Sequence, residues 1–113
     1  MAKKELGQDI TEIGNILNRC SSDQDILKNA SNIEKYTHKI KGLAPMMGQE
    51  EIGQIAALLD NVLKAISSGK PSAGSYQTVS KSYYFMKNVL SGTGSNFESL
   101  KIEIEKDHKS LLQ

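Results

Sequence analysis

From Leu6 onward, apolar residues return at Leu6, Ile10, Ile13, Leu17 and Cys20, steps of four, three, four and three that draw one stripe along a helix. The spacing predicts a first helix from about Lys4 to Cys20. Gly7 and Gly14 lie inside it and each costs about 1 kcal/mol relative to Ala, so packing must hold it. The polar patch Ser21-Ser22-Asp23-Gln24-Asp25 then offers oxygens to cap a new helix. That second helix carries Ile26, Ala30, Ile33, Thr37, Ile40, Ala44 and Met47, widened by Leu27 and Leu43. Pro45 lacks an N–H and presses on the carbonyl of Lys41, which predicts a kink or an early end, and Gly48 marks the turn.

A third helix is expected from Gln49-Glu50-Glu51, acids placed where the helix dipole favours them, with its stripe on Ile52, Ile55, Leu59, Val62 and Ile66, flanked by Ala56 and Leu63. It stops at Ser67-Ser68-Gly69-Lys70-Pro71, where glycine can take a left-handed cap and proline forbids continuation. The fourth stripe is Tyr76, Val79, Tyr83, Met86 and Leu90, with Phe85 and Val89 adding apolar area, and Ser91-Gly92-Thr93-Gly94 breaks it. Ser95 with Glu98 forms a capping-box pattern opening a fifth helix on Phe97, Leu100, Ile104 and Leu111. Its middle, Lys101 to Glu105, alternates with period two, but no other segment offers a partner strand, so a helix is expected. The elements predict an all-α fold, an antiparallel four-helix bundle with an additional C-terminal helix, as one domain over residues 1–113.

Composition narrows this picture. Hydrophobic residues are 38% and aromatic residues 5%, with no Trp, which suits an aliphatic core. A net charge of +1 supplies no field to hold nucleic acid or an anionic membrane. The one cysteine, Cys20, has no internal partner and points to a reducing compartment. No apolar run approaches the roughly 20 residues of a membrane span, and Met1-Ala2-Lys3-Lys4-Glu5 leads into an amphipathic segment, so a cytoplasmic monomer is expected.

Candidate chemistry centres on Tyr36-Thr37-His38-Lys39-Ile40-Lys41-Gly42. At about 100° per residue His38 lies roughly 130° from the stripe of the second helix and should face solvent. Lys41 and Gly42 lie one turn beyond it, and Glu34 and Lys35 one turn before. An exposed imidazole is largely neutral at pH 7, so one ring nitrogen keeps a lone pair and is a competent nucleophile. Lysine one turn away can offset the charge of a transferred group, and glycine clears the approach of a partner. The plain alternative is a solvated histidine beside an ordinary lysine.

Elsewhere the signals are weaker. His108 sits in the charged stretch Glu105-Lys106-Asp107-His108-Lys109 and is expected to be solvated. No spacing of His, Cys and carboxylates suggests a metal. Met46 and Met47 are expected in core and turn packing, and Gly53 and Ala57 in close helix approach. Tyr83-Tyr84-Phe85 spans three helical directions, so some aromatic surface is expected to be exposed. No glycine-rich nucleotide loop occurs.

His38-Lys39-Ile40-Lys41-Gly42, with Gly48 ten residues after the histidine and a long amphipathic helix ending at Gly69, resembles the histidine phosphotransfer family. Met46-Met47-Gly48 and Leu58-Leu59-Asp60 are most similar to the amino-terminal phosphotransfer domain of chemotaxis histidine kinases, over about residues 33–69. The resemblance implies that His38 accepts a phosphoryl group through Nε2 and passes it to an aspartate of a receiver domain. It implies that Lys41 lies near the phosphoryl oxygens, and that an acid twenty-two positions on, here Asp60, orients the ring through its other nitrogen. ATP and Mg²⁺ would then belong to the partners, a histidine kinase catalytic domain and a receiver, and no cofactor to this chain. Gly42, Glu34, Lys35, Lys39 and Pro45 would line the docking face, the lysines suiting an acidic receiver pocket. Ala57 stands where those kinases often carry a second histidine, and Pro45 where small residues are usual. The rival expectation is a non-catalytic helical adaptor that binds signalling partners through the same face.

Overall fold

The computed structural model describes residues 2–94 and 96–112, and every regular element among them is a helix. These are α1 (Ala2–Leu17), α2 (Asp23–Met46), α3 (Glu50–Ser67), α4 (Ser75–Leu90) and α5 (Phe97–Asp107). α1 packs on α2 and α4, α3 packs on α2 and α4, α2 also reaches α4, and α5 lies on α3 and α4. One continuous core of buried side chains draws on all five helices, dominated by Ile and Leu. The period-two stretch from Lys101 to Glu105 is helical, as a segment without a partner strand must be.

Local chemistry sets the helix ends. Ser22 caps α2 by accepting the Asp25 N–H at 3.2 Å, while the Asp25 carboxylate accepts the Ser21 N–H at 2.9 Å. That backbone bond, foremost, holds the Asp25 carboxyl below its usual range. α2 ends one residue past Pro45, with the N–H groups of Met47 and Gln49 both bonded to the Ala44 carbonyl. Gly48 and Gly69 close α2 and α3 with φ of 75° and 105°, conformations that side chains disfavour. The N-cap residue of α4, Gly74, offers no side-chain cap, and within its own loop only the Ser72 carbonyl serves it, accepting the Ser75 N–H at 3.0 Å. Asp23, in the first turn of α2, accepts the Gly74 N–H at 2.9 Å and the Tyr76 N–H at 2.8 Å.

Several expectations need correction. α1 ends at Leu17, three residues short of Cys20, because the Arg19 and Cys20 N–H groups bond Ile16 and Leu17 in a tighter turn, which still buries Cys20. Met46 is 84% exposed and takes no part in core packing, since the helix ends there. Leu27 is also exposed. Leu111 falls beyond α5, though half-buried. α4 buries Ser75, Thr78 and Ser82 beside Val79, Phe85 and Met86, a broader face than its apolar stripe predicted, because α5 covers its second flank. Ser95, the residue of the expected capping box, lies outside the described residues, and Asn96 stands at the start of α5 without a side-chain cap.

The two internal glycines of α1 differ. A Cβ on Gly14 would sit 2.6 Å from the tip of the Tyr83 ring, which would have to move aside to admit it. A Cβ on Gly7 would meet only Leu90 at an ordinary 3.5 Å. Gly53 of α3 is required by α2, for its Cβ would lie 2.8 Å from Pro45 Cγ.

Candidate functional site

α2 and α3 form the most extensive helix pair, and the site lies across it. The α2 stripe of Ile26, Ala30, Ile33, Thr37, Ile40 and Ala44 is buried as its spacing predicts. That burial turns the next residue outward, and the His38 side chain is 61% exposed. On α3, Asp60 belongs to the buried face beside Leu59 and Leu63, with its side chain fully covered. A carboxylate in such a place needs partners.

Asp60 has them on both oxygens. Its Oδ1 accepts from the Thr37 hydroxyl at 3.2 Å, a proton shared with the Glu34 carbonyl at 3.1 Å. Its Oδ2 accepts from Lys64 Nζ at 3.1 Å and Lys41 Nζ at 3.3 Å. The same Oδ2 lies 3.9 Å from His38 Nδ1, and Glu34 Oε2 lies 4.0 Å from that nitrogen. The ring therefore presents Nδ1 to two carboxyl groups, while Nε2 is the nitrogen left for the solvent side. At 3.9 Å Asp60 attracts a proton on Nδ1 electrostatically without making a direct hydrogen bond. Its short side chain is held back by two lysines and a threonine.

Charge within this group is ordered. Burial pushes the Asp60 carboxyl up, but the bonds from Glu34, Lys64 and Lys41 outweigh it and hold Asp60 below the usual range. Glu34 is raised, first by its hydrogen bond to Asp60 and then by burial and the Asp60 charge. Of the two carboxyl groups Glu34 is therefore the one that takes up a proton first as pH falls, and Asp60 keeps its charge longer. The bond to Asp60 also raises Lys64.

The fold brings Glu34, His38, Lys41 and Asp60 together and adds Thr37 and Lys64, which the sequence reading missed. Lys64 stands four residues after Asp60, a spacing that was legible. Glu34, His38 and Asp60 also present one ligand atom each within 4.8 Å, a cluster that no sequence spacing revealed. Two ammonium groups already occupy the Asp60 oxygen that would bind a cation, and a metal would have to displace them.

The expected docking residues divide. Gly42 is open, with nothing within 4 Å of a Cβ placed on it. Lys35 is exposed beside the Tyr36 ring. Lys39 is committed elsewhere, with its Nζ 3.0 Å from Oδ1 of the buried Asp9 on α1, a bond that raises the lysine further. Pro45 is exposed but spends one ring face on Gly53.

His108 departs from expectation altogether. It is 2% exposed, and its Nε2 lies 2.6 Å from the Thr78 hydroxyl. Burial pushes its imidazole below the ordinary value of 6.5, against the opposing pull of Asp107 and Asp23. The signal was present: His108 follows Ile104 by four residues and so continues the buried stripe of α5.

Comparison with protein-family models, with curated proteins and with solved structures finds no match to this chain.

Proposed function

We propose that this chain is a histidine phosphotransfer domain of a two-component phosphorelay, in which His38 accepts a phosphoryl group and a receiver aspartate takes it away. The observation that carries this reading is the placement of His38: exposed, with Nδ1 facing the buried Asp60 carboxyl at 3.9 Å and Lys41 and the open Gly42 on the same face. The fold in this reading is an antiparallel four-helix bundle of α1 to α4 with α5 added on α3 and α4. The setting is cytoplasmic and the domain monomeric. No helix among the described residues is long and apolar enough to cross a membrane.

In the first step the Nε2 lone pair attacks the γ-phosphorus of ATP held by the kinase. The bond to the bridging oxygen breaks and ADP leaves with its electrons. The ring gains positive charge, which the proton on Nδ1 shares and Asp60 stabilises. Lys41 and Lys64, both half-exposed and tied to one oxygen, can turn toward the new phosphoryl oxygens while Thr37 keeps Asp60 in place. In the second step a receiver carboxylate attacks phosphorus, the N–P bond breaks and its electrons return to Nε2. Mg²⁺ and the acidic pocket come from the partners. Gly42 leaves them room, and a bulky residue there is expected to slow transfer to the receiver with helix content unchanged.

The test is incubation of the chain with a histidine kinase and radiolabelled ATP, scoring label that is acid-labile and base-stable. Wild type is expected to label and His38→Gln is not. Equal labelling of both, or none where a known phosphotransfer domain labels, removes the reading. A second reading, a non-catalytic adaptor using this face, draws on the two lysines that occupy Asp60 in place of a direct bond to His38. It gains if His38→Gln binds partners as wild type does.

A further inference from the structure

His38 Nδ1 faces two carboxyl groups at nearly equal distance, Asp60 Oδ2 at 3.9 Å and Glu34 Oε2 at 4.0 Å, and neither distance is a hydrogen bond. What else holds each carboxyl group decides which of them can close the gap. Asp60 is fully buried, with Oδ1 on the Thr37 hydroxyl and Oδ2 on the ammonium groups of Lys41 and Lys64 at 3.3 and 3.1 Å. Its short side chain cannot reach further toward the ring without giving up one of those donors.

Glu34 differs on each count. Its side chain is 26% exposed and one rotatable bond longer, so it has room and reach to turn. Among the described residues no ammonium group stands within 4.0 Å of it, and His38 is its one ion-pair neighbour. It also lies one turn before His38 on α2, a spacing that brings the two side chains together wherever α3 sits. A movement of about 1 Å carries Oε2 to bonding distance of Nδ1.

We infer that Glu34, and not Asp60, accepts the Nδ1–H bond of His38 and fixes its tautomer. Asp60 then acts through space and as the anchor of two lysines, while Glu34 sets the ring. With the proton kept on Nδ1, the lone pair stays on Nε2, on the solvent side. Glu34 is thus a positioning residue: it touches neither ATP nor the receiver, and the Nδ1 proton stays in place through both transfer steps. A carboxylate expected on the docking face is spent on the ring instead. The effect on transfer rests on the phosphotransfer reading, whereas the tautomer does not.

The test is the ¹⁵N spectrum of the imidazole nitrogens in the full chain at about pH 8, where an ordinary histidine is neutral. The His38 signals are those lost in His38→Gln. Wild type is expected to show Nδ1 protonated and Nε2 bare. Glu34→Ala, a change that favours the helix, should remain folded and pass to the Nε2–H form that free imidazole prefers. In the kinase assay it should then label roughly fivefold more slowly than wild type, as the competent ring becomes a minority. A wild-type ring protonated on Nε2, an unchanged tautomer in Glu34→Ala, or an altered tautomer that labels at the wild-type rate would each overturn the assignment. Because the tautomer is read before any phosphorylation, a wild type that shows Nδ1–H yet takes no label removes the phosphotransfer reading and upholds the bond to Glu34.

Discussion

Thr37 and His38 are neighbours in the chain and opposites in environment, because one helical residue turns the side chain by about 100°. Thr37 sits in the buried stripe and gives its hydroxyl to Asp60, whereas His38 faces out. Thr37→Val keeps the shape and removes the donor, leaving a buried carboxylate oxygen short of a partner. By the worth of hydrogen bonds to charged groups it should lose about 1.5–3 kcal/mol in chemical denaturation. In the chain Thr37 read as one more apolar-stripe position, since a β-branched side chain fills such a place whether or not its hydroxyl is used. The exposure of His38 was legible from the same stripe. The commitment of Lys39 was not, because Asp9 lies a whole helix away in sequence. Lys39→Ala, which strips a buried aspartate of its cation, should lower the thermal midpoint, while Lys35→Ala should leave it unchanged.

Among the helices, the α2–α3 pair depends on a proline and a glycine made for each other. The Pro45 ring is tied to its backbone and cannot swing aside, so a methyl group on Gly53 must push the helices apart. Gly53→Ala gains about 1 kcal/mol of helix propensity and loses about 1–3 kcal/mol to overpacking, and should be destabilising on balance. In a Pro45→Ala background the same change should become stabilising, a reversal that a double-mutant cycle measures directly. Additive effects would show that the two residues do not compete for space. The sequence marked Pro45 as a helix breaker and Gly53 as a small residue for close approach, but could not pair them, because pairing needs the register of two helices. Helix number and stripes were readable from period alone. The end of α1 was not, since Cys20 keeps the apolar spacing after the backbone has left the helix.

For the whole molecule, His108 ties the C-terminal segment to the body and makes stability depend on pH. Thr78 of α4, Asp23 of α2 and its neighbour Asp107 are the polar and charged groups that bear on it. Its folded pKa lies below 6.5, so above that value both folded and unfolded chains hold it neutral and its contribution is complete. As pH falls below 6.5 the unfolded chain takes up a proton that the folded chain refuses, and stability is lost until the folded pKa is passed. Wild type should therefore melt progressively earlier as pH falls below about 6.5. His108→Gln, which keeps a partner for Thr78 and cannot titrate there, should flatten that slope; an identical slope would place the dependence elsewhere.

The Asp23 carboxylate has a consequence for the order of folding. It supplies the start of α4 with acceptors from a position 51 residues earlier, so that helix begins largely against another helix, with only the Ser75 N–H bonded within its own loop. Until α2 is formed and docked, the Gly74 and Tyr76 N–H groups at the start of α4 lack their acceptors and that end is less firmly set. α2 and α3, joined by a short turn and in broad contact, can associate early with a small entropy of closure, whereas α4 must wait for that platform. Asp23→Ala should accordingly slow the late phase of refolding more than the early one, and leave the α2–α3 hairpin to form at its usual rate.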